Sequence, residues 1–161
     1  MKKIFFVGVV IALLLMACGS DSELKNDIAI ERIPADVSSV SVLNIPSIME
    51  KIDLVKVRDM AMVKKEIVNP ENQFAQMVNM FLNADQSGVD VSKYAYITQY
   101  ANPNQPQQIF NATLVNLKDA DAFATTANKL YSNVKQVDGY NMVKVNNSGV
   151  LAWDDDLAVI G

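Results

Sequence analysis

The chain has 161 residues, 50% of them hydrophobic and 20% charged, with a net charge of −4; this suffices for one domain with a real core. It holds no histidine and one cysteine, Cys18, which together exclude zinc sites, Cys-His nucleophiles, Ser-His-Asp triads and disulfides within the chain. No basic stretch is denser than Lys64-Lys65, with Glu66 directly behind it, and the scattered glycines build no phosphate cradle; nucleic acid and nucleotide cofactors are therefore set aside.

Met1-Lys2-Lys3 supplies a positive start, and Ile4 to Ala17 is an apolar run of fourteen residues in which Gly8 alone weakens a helix. A membrane-spanning helix needs about 20 apolar residues to cross roughly 30 Å of hydrocarbon, so this run has the proportions of a signal peptide. It ends on Leu15-Met16-Ala17-Cys18, which resembles the lipobox of bacterial lipoproteins: an aliphatic residue, a tolerant position, a small residue, then cysteine. The resemblance implies cleavage between Ala17 and Cys18, with a diacylglycerol on the Cys18 thiol and often a further acyl chain, such as palmitate, on the new amino group. Each buried methylene adds about 0.8 kcal/mol of membrane affinity, so two or three chains give a stable anchor. A plain secretory signal with an incidental cysteine, or an N-terminal membrane anchor, is the alternative. Processing removes Lys2 and Lys3 and takes the net charge from −4 to −6.

Gly19 to Asp27 is polar and acidic without apolar periodicity and reads as a tether, so that residues 18–27 carry the anchor and residues 28–161 the domain. Asp21 and Glu23, close behind the cysteine, resemble the surface-export signal of Bacteroidetes lipoproteins. After a break at Pro34, the β-branched run through Val37, Val40, Val42 and Leu43 predicts a strand over 38–45. Ser47 with Glu50 forms a capping box, and Ile48, Ile52 and Val55 keep one helical face. Asn69 as cap and Pro70 at the first helical position open a second helix, which carries Phe74, Met77, Val78 and Phe81 and ends near Asn83.

From Tyr94 to Tyr100 and again from Ile109 to Leu117 the period is two, predicting paired antiparallel strands joined by a Pro-, Asn- and Gln-rich loop over 101–108. Asp119 caps a helix with Phe123, Ala127, Leu130 and Tyr131 on one face. Turns at Asp138-Gly139 and Asn147-Ser148-Gly149 then divide strands at 134–137, 140–145, 149–153 and 157–160. The fold class is α+β, an antiparallel sheet with helices packed on one face. Because Gly161 follows the apolar run Leu157 to Ile160 directly, that strand is expected at an exposed edge, and the chain is expected to be the N-terminal part of a longer protein.

No catalytic or metal constellation stands out. Met60, Met62, Met77 and Met80 read as core filler rather than a soft-metal surface, since no histidine or cysteine accompanies them. Asp154-Asp155-Asp156 reads as a solvated hairpin tip, because adjacent carboxylates on extended backbone point to opposite faces. Tyr94, Tyr96 and Tyr100 share one strand face and suit a core better than a carbohydrate platform. Enzymatic action would require a carboxylate pair such as Asp36 and Asp90 to converge.

The stretch Ile33-Pro34-Ala35-Asp36 to Ile45, the helix at Met49-Glu50-Lys51, the phrase Val89-Asp90-Val91-Ser92-Lys93-Tyr94 and Trp153-Asp154-Asp155-Asp156-Leu157 are similar to the domain of unknown function 4836 family of Bacteroidetes lipoproteins. That resemblance implies a longer envelope protein and brings no active site with it. The expectation is therefore a lipid-anchored outer-membrane lipoprotein, on the periplasmic face or the cell surface, whose domain is a non-enzymatic binding or scaffolding module for an envelope protein or glycan. The alternative is a solute-binding or glycan-binding lipoprotein beside an outer-membrane transporter. No cofactor is expected.

Overall fold

A computed structural model describes residues 27–61, 79–102, 104–145 and 149–161. In chain order the elements are α1 (Ile28–Glu31), β1 (Ser39–Leu43), α2 (Ile45–Lys51), α3 (Leu54–Asp59), α4 (Ala84–Ser87), β2 (Ala95–Asn102) and β3 (Gln105–Asn116), then α5 (Ala120–Leu130), β4 (Lys135–Val137), β5 (Tyr140–Val145), β6 (Gly149–Trp153) and β7 (Leu157–Ile160). The strands form one seven-stranded sheet in the order β1-β2-β3-β7-β6-β5-β4, and every neighbouring pair is antiparallel. The architecture is α+β, as the period changes in the sequence predict.

Register decides which side chains share a face. Ala95 pairs with Val115, Val115 with Ala158 and Ala158 with Trp153, so this row looks toward α5. Phe123 and Ala127 of α5 are fully buried there, and the Phe123 ring meets Trp153 edge-on at 5.7 Å. Truncating either aromatic to alanine costs about 3–5 kcal/mol at such a site. Ile45 of α2 and Met80 join the same core. The alternate row, Tyr96, Leu114 and Val159, looks the other way, where the single turn of α1 packs Ala29 against it. The longer helix α5 thus covers one face, and a one-turn strap covers part of the second.

Several local features follow the sequence closely. Asp119 caps α5 by accepting from the Ala122 N–H at 2.9 Å, and Asp138 and Gly139 both take positive φ, 51° and 87°, as a two-residue hairpin turn requires. Strands β5, β6 and β7 coincide with the predicted runs. The turn expected at Asn147-Ser148 and the cap expected at Asn69-Pro70 lie outside the described residues.

Elsewhere the structure corrects the expectation. The first helix starts at Ile45, because Asn44 and not Ser47 is its cap, accepting from the Ser47 N–H at 2.9 Å, and Pro46 fits the first turn. It stops at Ile52, where Asp53 caps α3 through the Lys56 N–H; an apolar period passes across such a break unseen. The loop predicted over 101–108 is mostly strand, since Asn102 pairs with Gln105 after a register shift. Most consequentially, β7 is no edge: it pairs with β3 on one side and β6 on the other. The outer strands are β1 and β4.

Gly88 closes α4 at φ +72°, and its carbonyl accepts the N–H groups of Lys118 and Asp119. An added Cβ would stand 2.0 Å from the Asp119 carbonyl oxygen, whereas at Gly139 nothing lies within 4 Å. Gly139→Ala is expected to cost only the roughly 1–2 kcal/mol of left-handed backbone strain, and Gly88→Ala clearly more because backbone must move. Urea unfolding of the two variants checks the order.

Candidate functional site

The second sheet face carries the polar groups that sequence reading passed over. Asp27 is 2% exposed, and its Oδ1 accepts from the Ala29 N–H at 3.0 Å and from Asn116 Nδ2 at 2.9 Å. Its Oδ2 accepts from the Tyr96 hydroxyl at 2.8 Å. The second Asn116 amide hydrogen reaches the Tyr94 carbonyl at 3.2 Å. Burial, then the hydrogen bond to Asp27 and its charge, raises the Tyr96 pKa and keeps the phenol a donor. Every member of this network has its partners, which suits holding a shape rather than moving a proton. Asp27, read above as the end of the tether, therefore belongs to the fold and pins α1 to β2 and β3.

One turn further on, Arg32 forms ion pairs with Asp154 and, at 3.5 Å, with Asp156. Asp154 also shapes its own turn, its Oδ1 accepting from the N–H groups of Asp156 and Leu157 at 3.0 Å each. Burial pushes the Asp154 pKa up, but these two N–H groups and the Arg32 guanidinium outweigh it and leave the value lowered. Beside the pair lies a groove of about 340 Å³ whose apolar walls include Tyr140, Met142, Ala152 and Val159. Its charged lining residues, Arg32 and Asp154, are already engaged with each other. On the same face Val40, Val42 and Phe110 stand 41%, 42% and 57% exposed.

The sequence candidates distribute as follows. Ala17, Cys18, Asp21 and Glu23 lie outside the described residues, as do Met62 and Met77. Met80 is buried in the core while Met60 is exposed. Tyr94 and Tyr96 are core residues, and Tyr100 packs at a tilt on Phe110, 6.5 Å between centroids. Asp90 accepts from the N–H and hydroxyl of Ser92 in a local turn; Asp36 is exposed, and no described hydrogen bond joins the two. Among the described residues no group of three acidic or thiol side chains is placed to hold a metal ion. The sequence reading placed Asp27 at the end of the tether and gave Arg32 no role; a cap signal before Ile28 was the one local mark of Asp27.

Comparison with protein-family models, with curated proteins and with solved structures gives no match.

Two expectations follow from these networks. Asp27→Ala leaves the Tyr96 hydroxyl and one Asn116 amide hydrogen unpaired in a buried place and should cost about 1–3 kcal/mol for each; denaturant unfolding with Tyr96→Phe as the companion variant reads this. A carboxyl group with a lowered folded pKa stabilises above its unfolded value and loses that contribution as pH falls through the folded one. For Asp154 the loss sets in below 3.8, the ordinary value. Asp154→Asn should therefore flatten the acid limb of a stability-against-pH curve, and an unchanged limb would contradict it.

Proposed function

We propose that this chain is a lipid-anchored envelope lipoprotein whose α+β domain is a non-enzymatic binding or scaffolding module. The observation that carries the proposal is the lipobox-like Leu15-Met16-Ala17-Cys18 at the end of the apolar run Ile4 to Ala17. The single thiol of the chain, placed directly after a short apolar run, is the group that would accept a lipid. No helix among the described residues is long and apolar enough to cross a membrane. The scaffolding half draws support from the second face, where among the described residues Val40, Val42 and Phe110 are exposed apolar side chains.

The groove gives the second reading, a solute-binding or glycan-binding lipoprotein beside an outer-membrane transporter, its specific support. Sugars need several free hydrogen-bonding groups, and this lining is mainly apolar with its charges paired. That balance favours a protein partner over a glycan. The likeness to the Bacteroidetes lipoprotein family belongs to the same proposal, and so do the outer-membrane location and the surface-export role of Asp21 and Glu23.

Acylation needs the thiol, and cleavage follows acylation. Cys18→Ser should therefore accumulate as precursor without label from radioactive palmitate, while the wild type is labelled and partitions into detergent. A labelled Cys18→Ser variant would overturn the anchor. Protease shaving of intact cells then tests orientation: the wild type should be cut, and Asp21→Ala with Glu23→Ala should be protected. A wild type that resists protease while the outer membrane is intact places the domain in the periplasm.

A further inference from the structure

We infer that β1 is a pairing edge for a second copy of this chain, joined antiparallel across a two-fold axis at Ser41. The two outer strands of the sheet are built differently. β4 has three residues and begins with Lys135, and a short strand bearing a lysine is a protected edge. β1 is longer and uncharged, Ser39-Val40-Ser41-Val42-Leu43, with its first four residues exposed. It has neither proline nor bulge within its five-residue pairing to β2. Among the described residues no strand pairs with its outer side.

The occupant follows from the strand's own pattern. Opposite residues in an antiparallel pair point to the same face, so a copy that overlaps β1 fully sets Ser41 against Ser41, Val40 against Val42 and Ser39 against Leu43. The pattern is nearly palindromic about Ser41, and self-pairing therefore matches valine with valine and brings no like charges together. Val40 and Val42, 41% and 42% exposed, lie on the second face with Thr98 and Tyr96, their partners in β2. Four valines would cover one another there. The interface is isologous and closed, as most homodimers are.

Symmetry adds a consequence. A two-fold axis relating antiparallel strands is normal to the sheet and leaves the second face of both copies on one side. Asp27 binds Tyr96 and Asn116 on that face, so the chain enters both domains from the same side. Two tethers then reach one membrane. This last step rests on the lipoprotein reading; the pairing does not. A five-residue strand pair buries less than the roughly 1,000 Å² of a stable interface, so it forms weakly in dilute solution and is strengthened by the high local concentration of a shared surface.

Single cysteines in the full chain test the register in membranes. Under the two-fold axis Ser41 faces its own copy about 4.5–5.5 Å away between Cα atoms, within disulfide reach. Ser39 lies roughly 13 Å along the strand from its copy and is out of reach. Mild oxidation should link Ser41→Cys into a dimer and leave Ser39→Cys at the background of the wild type, whose one cysteine is Cys18. Adding Val40→Lys with Val42→Lys should abolish the link by setting like charges opposite. Adding Val40→Lys with Val42→Glu should restore it, since each new cation then faces a new anion across the axis. Equal linking of the two cysteines, or a link that survives the paired lysines, overturns the proposal. Capture of a different protein by Ser41→Cys in place of the homodimer does so too. Palmitate labelling of the same cultures separates the outcomes: label without the link sinks the pairing alone, and the link without label sinks the anchor alone.

Discussion

Three central strands bury apolar side chains on both faces, and the rest of the structure depends on how those two faces are covered. Ala95, Val115 and Ala158 face one way and Tyr96, Leu114 and Val159 the other. The first set is met by α5, whose Phe123 locks onto Trp153. Among the described residues the second set has only α1, one turn long, which cannot hold itself against a sheet by its own apolar area. The Asp27 network makes up the difference. It binds the start of α1 to two strands through charge-assisted hydrogen bonds that are stronger than neutral ones, and Arg32 fastens the other end to the β6–β7 turn. A strap fixed at both ends needs little hydrophobic surface of its own.

That arrangement bears on function more than any single residue does. The polar clusters on the second face are spent on holding α1, and their partners are mutual. Among the described residues, that face leaves to solvent the apolar Val40, Val42 and Phe110 at one end, Lys135 and Lys144 at the other, and a groove between. In the proposed binding or scaffolding role, such a surface is what a shaped partner would meet.

Much of the fold was legible where structure is local. Asp138-Gly139 specifies a turn by its own backbone, and Asp119 announces α5 three residues before the N–H it accepts. What was not legible depends on residues far apart. Asp27 meets Tyr96 and Asn116 across 69 and 89 positions, and Arg32 meets Asp154 across 122; no period or spacing encodes such partners. The same holds for β7. Its apolar run identified a strand, but only register shows that it lies between β3 and β6 rather than at the rim. The break at Ile52–Asp53 was hidden for a different reason: two capped helices in succession keep an apolar stripe that one continuous helix would also give.

The central place of β7 also sets the order in which the molecule can assemble. Within the one sheet, β4 to β7 form a meander of neighbouring hairpins and β1 to β3 a second block, and the two are joined along one seam of four residue pairs between Thr113–Asn116 and Leu157–Ile160. Closing that seam spans more than forty residues of chain and is the slow, high-contact-order step. Until Leu157–Ile160 is available, β3 and β6 each present an open edge. A ribosome releasing this chain from its N-terminus thus delivers the keystone strand after β1 to β6, and a holding factor that shields β3 in the interval would raise the yield of folded protein.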